Sequence, residues 1–66
     1  MAVLKVIEIL ANSKESWEDA ARQAVKEASK TVKNIRSIYI KDQSCVVDGE
    51  QITHFRVTVK VTFEVK

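Results

Sequence analysis

The residues from Gln51 to Lys66, QITHFRVTVKVTFEVK, alternate almost without a fault. Phe55, Val57, Val59, Val61, Phe63 and Val65 fall on one side of an extended chain, and His54, Arg56, Thr58, Lys60, Thr62 and Glu64 on the other. A period of two marks a strand with one face buried. The β-branched and aromatic residues on the inward side suit a pleated, half-covered surface. No other run in the chain alternates for so long, which predicts that this strand is the centre of a sheet.

The remaining residues must cover and flank it. Ala2 to Leu10 reads as a first strand, with Val3, Ile7 and Ile9 on one face and Leu4, Val6 and Leu10 on the other. One helix covers only one face of a small sheet, so the second apolar face predicts a neighbouring subunit. Trp17, Ala20, Ala21, Ala24, Ala28 and Val32 then recur at helical spacing, predicting a helix from about Lys14 to Val32. Its mostly alanine stripe lets it lie close to the sheet, with Trp17 as the bulky anchor. Asn12 or Ser13 is the predicted N-cap, and Asn12 with Glu15 resembles a capping box. Glu15, Glu18 and Asp19 suit the positive end of the helix dipole, and Lys26, Lys30 and Lys33 the negative end. Asn34 is the predicted left-handed cap.

A second strand is predicted from Arg36 to Val47, with Ile38 and Ile40 towards the core and Ser37, Tyr39, Lys41 and Gln43 away from it. Asp48-Gly49 signals a tight hairpin. With Val47 opposite Glu50, Ile40 would face Val57, Ile38 Val59, Ser37 Lys60, Tyr39 Thr58, Lys41 Arg56 and Gln43 His54. The element order predicts an α+β domain, a β-α-β-β unit with a three-stranded antiparallel sheet of order 1-3-2 and one helix on one face. It occupies residues 1–66 as a single domain.

So short a chain buries only about 60% of its unfolded surface and usually needs extra support. Cys45 is the single cysteine, so an internal disulfide is excluded, and no zinc-type Cys/His spacing exists. Oligomerisation is the remaining support. A net charge of +2 falls short of a nucleic-acid footprint, and the outward face lacks interleaved stacking aromatics. No apolar run is long enough to span a membrane. Lys5 and Glu8 interrupt the N-terminus, MAVLKVIEIL, where a signal peptide would be apolar, which predicts a cytoplasmic protein.

The candidate chemistry lies on the outward face. Lys41 opposite Arg56 would repel and invite an anion, or else splay into water. His54 lacks a second histidine, and Cys45 lacks an evident base. The predicted register places His54 by Gln43 and Cys45 by Ile52, which separates the groups of an enzyme built on Tyr39, His54 and Cys45. Glu15, Glu18 and Asp19 would suit a hard cation only if subunits brought several copies together. No Gly-rich phosphate loop is available to a chain with one glycine. No catalytic residue is assigned, and the reading is non-enzymatic.

VIEILANS leading into SWEDAARQAVKEASKTVKNI, then the hairpin and VTVKVTFEV, resembles the dodecin family along nearly the whole chain. The resemblance implies a strand–helix–strand–strand protomer and a hollow homododecamer. Flavin-binding dodecins stack paired flavins on a tryptophan at the start of the second strand, and a glutamine on the third strand bonds the ring. Those positions fall on Ser37 and Arg56, so both hallmarks are missing and flavin sandwiching is expected to be lost or much weakened. The chain is more similar to the flavin-lacking, calcium dodecin-like branch, which shares Ser16-Trp17 and an arginine at Arg56. The resemblance implies binding or buffering of a small ligand, calcium or another ion, without assigning ion ligands. The expected inter-subunit pocket lies near Ser37, Tyr39 and Arg56. The alternatives are a flavin-storing dodecin with an altered pocket and a purely structural oligomer.

Overall fold

The computed structural model describes residues 2–65. Lys66, the predicted end of the last strand, lies outside them. Four elements succeed one another: β1 (Val3–Ser13), α1 (Trp17–Ala28), β2 (Ile35–Asp48) and β3 (Gln51–Val65). They form one antiparallel sheet of order β1-β3-β2, as expected of a central alternating strand.

β1 is three residues longer than its apolar pattern predicts. Ala11, Asn12 and Ser13 continue the ladder opposite Val57, Arg56 and Phe55. Pairing with a long neighbour overrides the poor strand propensity of Asn and Ser. The helix start moves with it. Ser16, not Asn12 or Ser13, is the N-cap: its backbone is extended and its hydroxyl accepts from the Asp19 amide at 2.9 Å. Ser13 is buried and supports this cap from the strand, donating to Asp19 Oδ2 at 2.6 Å and accepting from the Glu15 amide at 2.9 Å.

The helix also ends earlier than Val32. Ser29 closes it, and Val32 donates to the Ala28 carbonyl at 2.8 Å within a looser turn. The β-branched pair Thr31-Val32 does little to prolong a helix. Asn34 does adopt the left-handed conformation (φ 63°), but just before β2 and well past the helix end, so it is not the helix cap.

Ala20, Ala24, Val57, Val59 and Val61 are fully or almost fully buried at the helix–sheet contact. Ile7, Ile9, Ala11, Trp17, Ile35 and Ile38 pack around them. Alanines on α1 let the helix approach the three valines closely. Trp17 serves burial and attachment. Its ring meets Phe55 edge-on with centroids 5.2 Å apart, and its Nε1 donates to the Ser44 carbonyl at 2.9 Å.

The β2–β3 register differs from the one predicted. Gly49 and Glu50 form the turn, with Asp48 opposite Gln51. Gly49 takes φ +65°, and among the described residues the only other positive φ belongs to Asn34. A turn with its single left-handed residue at the first position suits glycine there, whereas centring it on Asp48-Gly49 would force Asp48 into the same region. Ile40 therefore faces Val59 and Ile38 faces Val61.

Three irregularities then interrupt the ladder, leaving Thr53, Lys41 and Arg36 without a direct partner. Each is one extra residue that bends its strand and shifts the facing of the residues beyond it. Between Thr53 and Lys41 the alternation is inverted, so Gln43 lies opposite the buried Val57 instead of His54.

β1 pairs with β3 only as far as Ser13 opposite Phe55. Beyond that rung, residues 46–54 continue as a two-stranded ribbon. The molecule measures 50 × 19 × 14 Å, with a radius of gyration of 13.4 Å. A compact domain of this length would have about 11 Å. Its accessible surface, 4944 Å², exceeds the roughly 4,200 Å² of a compact monomer of this mass.

Candidate ligand-binding face

The sheet face away from α1 is built rung by rung. Each rung takes one residue from each strand, because directly opposed residues share a face. Val6, Thr62 and Ser37 make one rung, and Glu8, Lys60 and Tyr39 the next. Leu10, Thr58 and Asp42 come after, then Asn12, Arg56 and Ser44. Leu4, Val6, Leu10 and Tyr39 remain between 54% and 66% exposed. One sheet face thus buries the core, while the other offers aliphatic flanks around a polar centre.

Ser37 and Tyr39 stand on adjacent rungs of this face, both exposed. Ser37 carries no ring and lies opposite Thr62; Tyr39 lies opposite Lys60. Arg56 is half-buried, and its Nε donates to Asn12 Oδ1 at 3.0 Å. Lys60 lies four positions after Arg56 on β3, about 13 Å along a strand. Ser37, Tyr39 and Arg56 therefore share a face without converging within one copy.

The predicted Lys41–Arg56 opposition does not form. The irregularity at Lys41 releases its side chain towards β1, where Nζ lies 3.6 Å from Glu8 Oε2. Ser44 takes the place opposite Arg56. The repulsion that would have invited an anion is replaced by an ion pair. Glu8 belongs to this outward face, though periodicity alone did not single it out. Part of its signal was available: in order 1-3-2, the acidic residue on the outward side of the first strand lies across from the central strand, where Lys60 is its partner on the ladder.

His54 sits opposite Val46, its Nδ1 3.0 Å from the Thr53 hydroxyl. Cys45 is a free, half-buried thiol opposite Phe55, not Ile52. His54 and Cys45 occupy neighbouring rungs, but consecutive rungs point to opposite faces, so imidazole and thiol are divided by the sheet. Two of the three acidic residues at the helix start are engaged within the copy. Asp19 accepts from Ser13, and Glu18 pairs with Arg22 one turn on. Among the described residues no cluster of three or more His, Cys, Asp or Glu could hold a metal ion. Glu64, at the far end of the face, accepts from Arg36 Nε at 3.0 Å and from its terminal nitrogen at 2.6 Å.

Among the described residues, clefts lie on either side of α1. One, of about 470 Å³, runs between the helix and β1 and is lined by Ile7, Ile9, Ala11, Ala24, Ala28 and Thr31 among others. The other, of about 300 Å³, lies over Ile38 between Ala21, Val25 and the Glu18–Arg22 pair.

Residues 3–66 match the sequence profile of one family, described as Dodecin. The chain belongs to the dodecin family. Calcium dodecin from Mycobacterium tuberculosis (strain ATCC 25618 / H37Rv) is 36% identical over 66 residues, which is all of this chain and 93% of that protein. The crystal structure of that calcium dodecin, described as a calcium-chelating immunodominant antigen with a novel calcium-binding site, superposes with a TM-score of 0.85 over 97% of this chain and 91% of that one. Dodecin from Streptomyces davaonensis superposes with a TM-score of 0.94 at 28% identity, covering 98% of this chain and 96% of that one. Within the family the chain therefore falls with the calcium dodecin-like branch, and the β-α-β-β protomer is the family's fold.

Proposed function

We propose that this dodecin is a non-enzymatic, self-assembling binding protein of the cytoplasm. Twelve copies close into a hollow shell that holds ions or a small ligand where subunits meet. The observation that carries the reading is the outward sheet face, where Leu4, Val6, Leu10 and Tyr39 lie more than half exposed around a polar centre. A second copy laid on that face would bury the aliphatic flanks and enclose the polar rungs. Ser37, Tyr39 and Arg56 are the proposed pocket residues. Because they do not converge within one copy, the pocket is completed between copies.

Calcium is the favoured ion, on the strength of the 36% identical calcium dodecin. With no three-ligand cluster within one copy's described residues, its carboxylates would come from more than one subunit. Flavin is disfavoured, because Ser37 supplies no π surface and Arg56 stands at the glutamine position. Nucleic acid and membrane have no part in the reading.

Light scattering on a gel-filtration column tests the assembly, with roughly 90 kDa expected for twelve 7.5 kDa chains. Calorimetric titration of the assembled protein then tests the cargo. Calcium should give saturable heat, and riboflavin should show no quenching of its fluorescence. A monomer, or an assembly inert to calcium that quenches flavin, would overturn the corresponding half of the reading.

A further inference from the structure

The three-stranded part of the outward face carries more positive charge than it neutralises. Its carboxylates are Glu8, Asp42 and Glu64. Two of them are engaged by residues that stand out of the ladder: Arg36 reaches Glu64 at 2.6 Å, and Lys41 reaches Glu8 at 3.6 Å. Glu8 lies directly opposite Lys60, so its pairing with Lys41 takes from Lys60 the counter-charge of its own rung. Among the described residues, Lys60, Arg56 and Asp42 form no ion pair.

The two unpaired cations stand on the central strand, both half-buried, with Thr58 between them. Thr58 is two positions from each, about 7 Å along a strand, which an arginine or lysine side chain can span. Arg56 is also oriented. Its Nε is held by Asn12 Oδ1 at 3.0 Å, which leaves the terminal nitrogens of the fork for another acceptor. Two cations against Asp42 leave each copy one positive charge in surplus. The pull on an anion thus comes from Arg56 and Lys60, not from Lys41.

Assembly sharpens the imbalance. Copies that meet through this face across a two-fold axis present the same patch to each other. The second copy brings its own Arg56, Lys60 and Asp42, which doubles the surplus instead of cancelling it. A charge withdrawn from water without a partner is costly, so the enclosed face needs an anion from outside the chain. We propose that it holds a doubly charged oxyanion of the phosphate class, one for two copies, between the Arg56 forks, the Lys60 ammonium groups and the Thr58 hydroxyls. A guanidinium meets such an oxyanion through two parallel N–H groups, and a lysine adds a point charge. This rests on the reading that subunits enclose this face, and it names the guest.

Calorimetric titration of the assembled wild type with inorganic phosphate, in calcium-free buffer of constant ionic strength, tests the site. Saturation at about one phosphate per two chains is expected. Arg56→Gln and Lys60→Met should each weaken binding at least about tenfold. Lys26→Met, the same loss of charge on the helix, should leave it unchanged. Asn12→Ala alters no charge yet frees the Arg56 fork, and should weaken binding about threefold. Asp42→Asn removes the competing carboxylate and should tighten it, a gain that no folding or assembly defect produces. Glycerol phosphate in the same titration separates a phosphate ester from the free ion, and binding of either supports the site. An assembled wild type that takes up neither overturns the proposal and leaves assembly intact. So does binding that falls no further with Arg56→Gln and Lys60→Met than with Lys26→Met. A monomeric wild type, by light scattering, overturns the assembly reading and the anion site with it.

Discussion

Removing Trp17 should detach the root of the β2–β3 ribbon from the helix. Three interactions would go together: the ring's burial, its edge-on contact with Phe55 and the bond from Nε1 to the Ser44 carbonyl. A mostly buried aromatic takes at least ~150 Å² out of water. At about 25 cal/mol/Å², discounted for a compact unfolded state, that is about 3 kcal/mol. The aromatic pair adds about 1 kcal/mol, and the hydrogen bond about 1 kcal/mol. Trp17→Ala should therefore lose about 4–5 kcal/mol, inside the usual range for deleting a large core aromatic. Trp17→Phe keeps a ring against Phe55 and should lose only about 1–2 kcal/mol, mainly the hydrogen bond. A chain of this size has only about 3–10 kcal/mol in all, so the alanine variant should be largely unfolded near room temperature unless assembly rescues it. The phenylalanine variant should melt about 5–10 °C below wild type. Thermal unfolding followed by circular dichroism, at one fixed protein concentration, separates the cases. If Trp17→Ala melts within a few degrees of wild type, the tryptophan is not what ties the ribbon to the helix.

Other perturbations probe single features. Gly49→Ala should lose about 1–2 kcal/mol through its positive φ alone, because a Cβ there would meet no atom within 4 Å; Gly49→Asn should recover part of it, and denaturant midpoints would show the order. Val59→Ala, at a position with no exposed surface, should lose about 2–3 kcal/mol from two missing methyls and the cavity they leave, measured by urea unfolding. Ser13→Ala leaves the Glu15 amide and the Asp19 carboxylate short of a partner and should lose about 1–2 kcal/mol. An unchanged midpoint would show that water replaces the hydroxyl at no loss.

Much of this fold was written in the periodicity of the chain. The alternation from Phe55 to Val65 identified the central strand, and the strand order came from element order alone. The alanine stripe placed Ala20, Ala21, Ala24 and Ala28 correctly at the sheet. Boundaries were less legible, because Ser13 and Ser16 are equally plausible caps until β3 is seen holding Ser13 in the ladder. The hairpin register failed for a different reason. A bulge is a tertiary adjustment of twist, and Lys41 and Thr53 carry no local mark of it. That one miss propagated into the candidate site: it created the false Lys41–Arg56 opposition, misplaced Gln43 and hid the Lys41–Glu8 pair. The outward positions of Ser37, Tyr39 and Arg56 survived, since the irregularities offset one another before β2 reaches Tyr39.

Those unpartnered residues also govern how the chain tolerates insertions and deletions. Arg36, Lys41 and Thr53 are slack in an otherwise paired ladder. Deleting one of them straightens the strand locally while every flanking residue keeps its neighbour and its face. Deleting Gln43 or Thr58 instead offers no such relief. The shift then runs to the nearest slack position, turning side chains over on the way. Length variation among related chains should therefore collect at these three points, and a one-residue linker scan through the hairpin should find its viable gaps there.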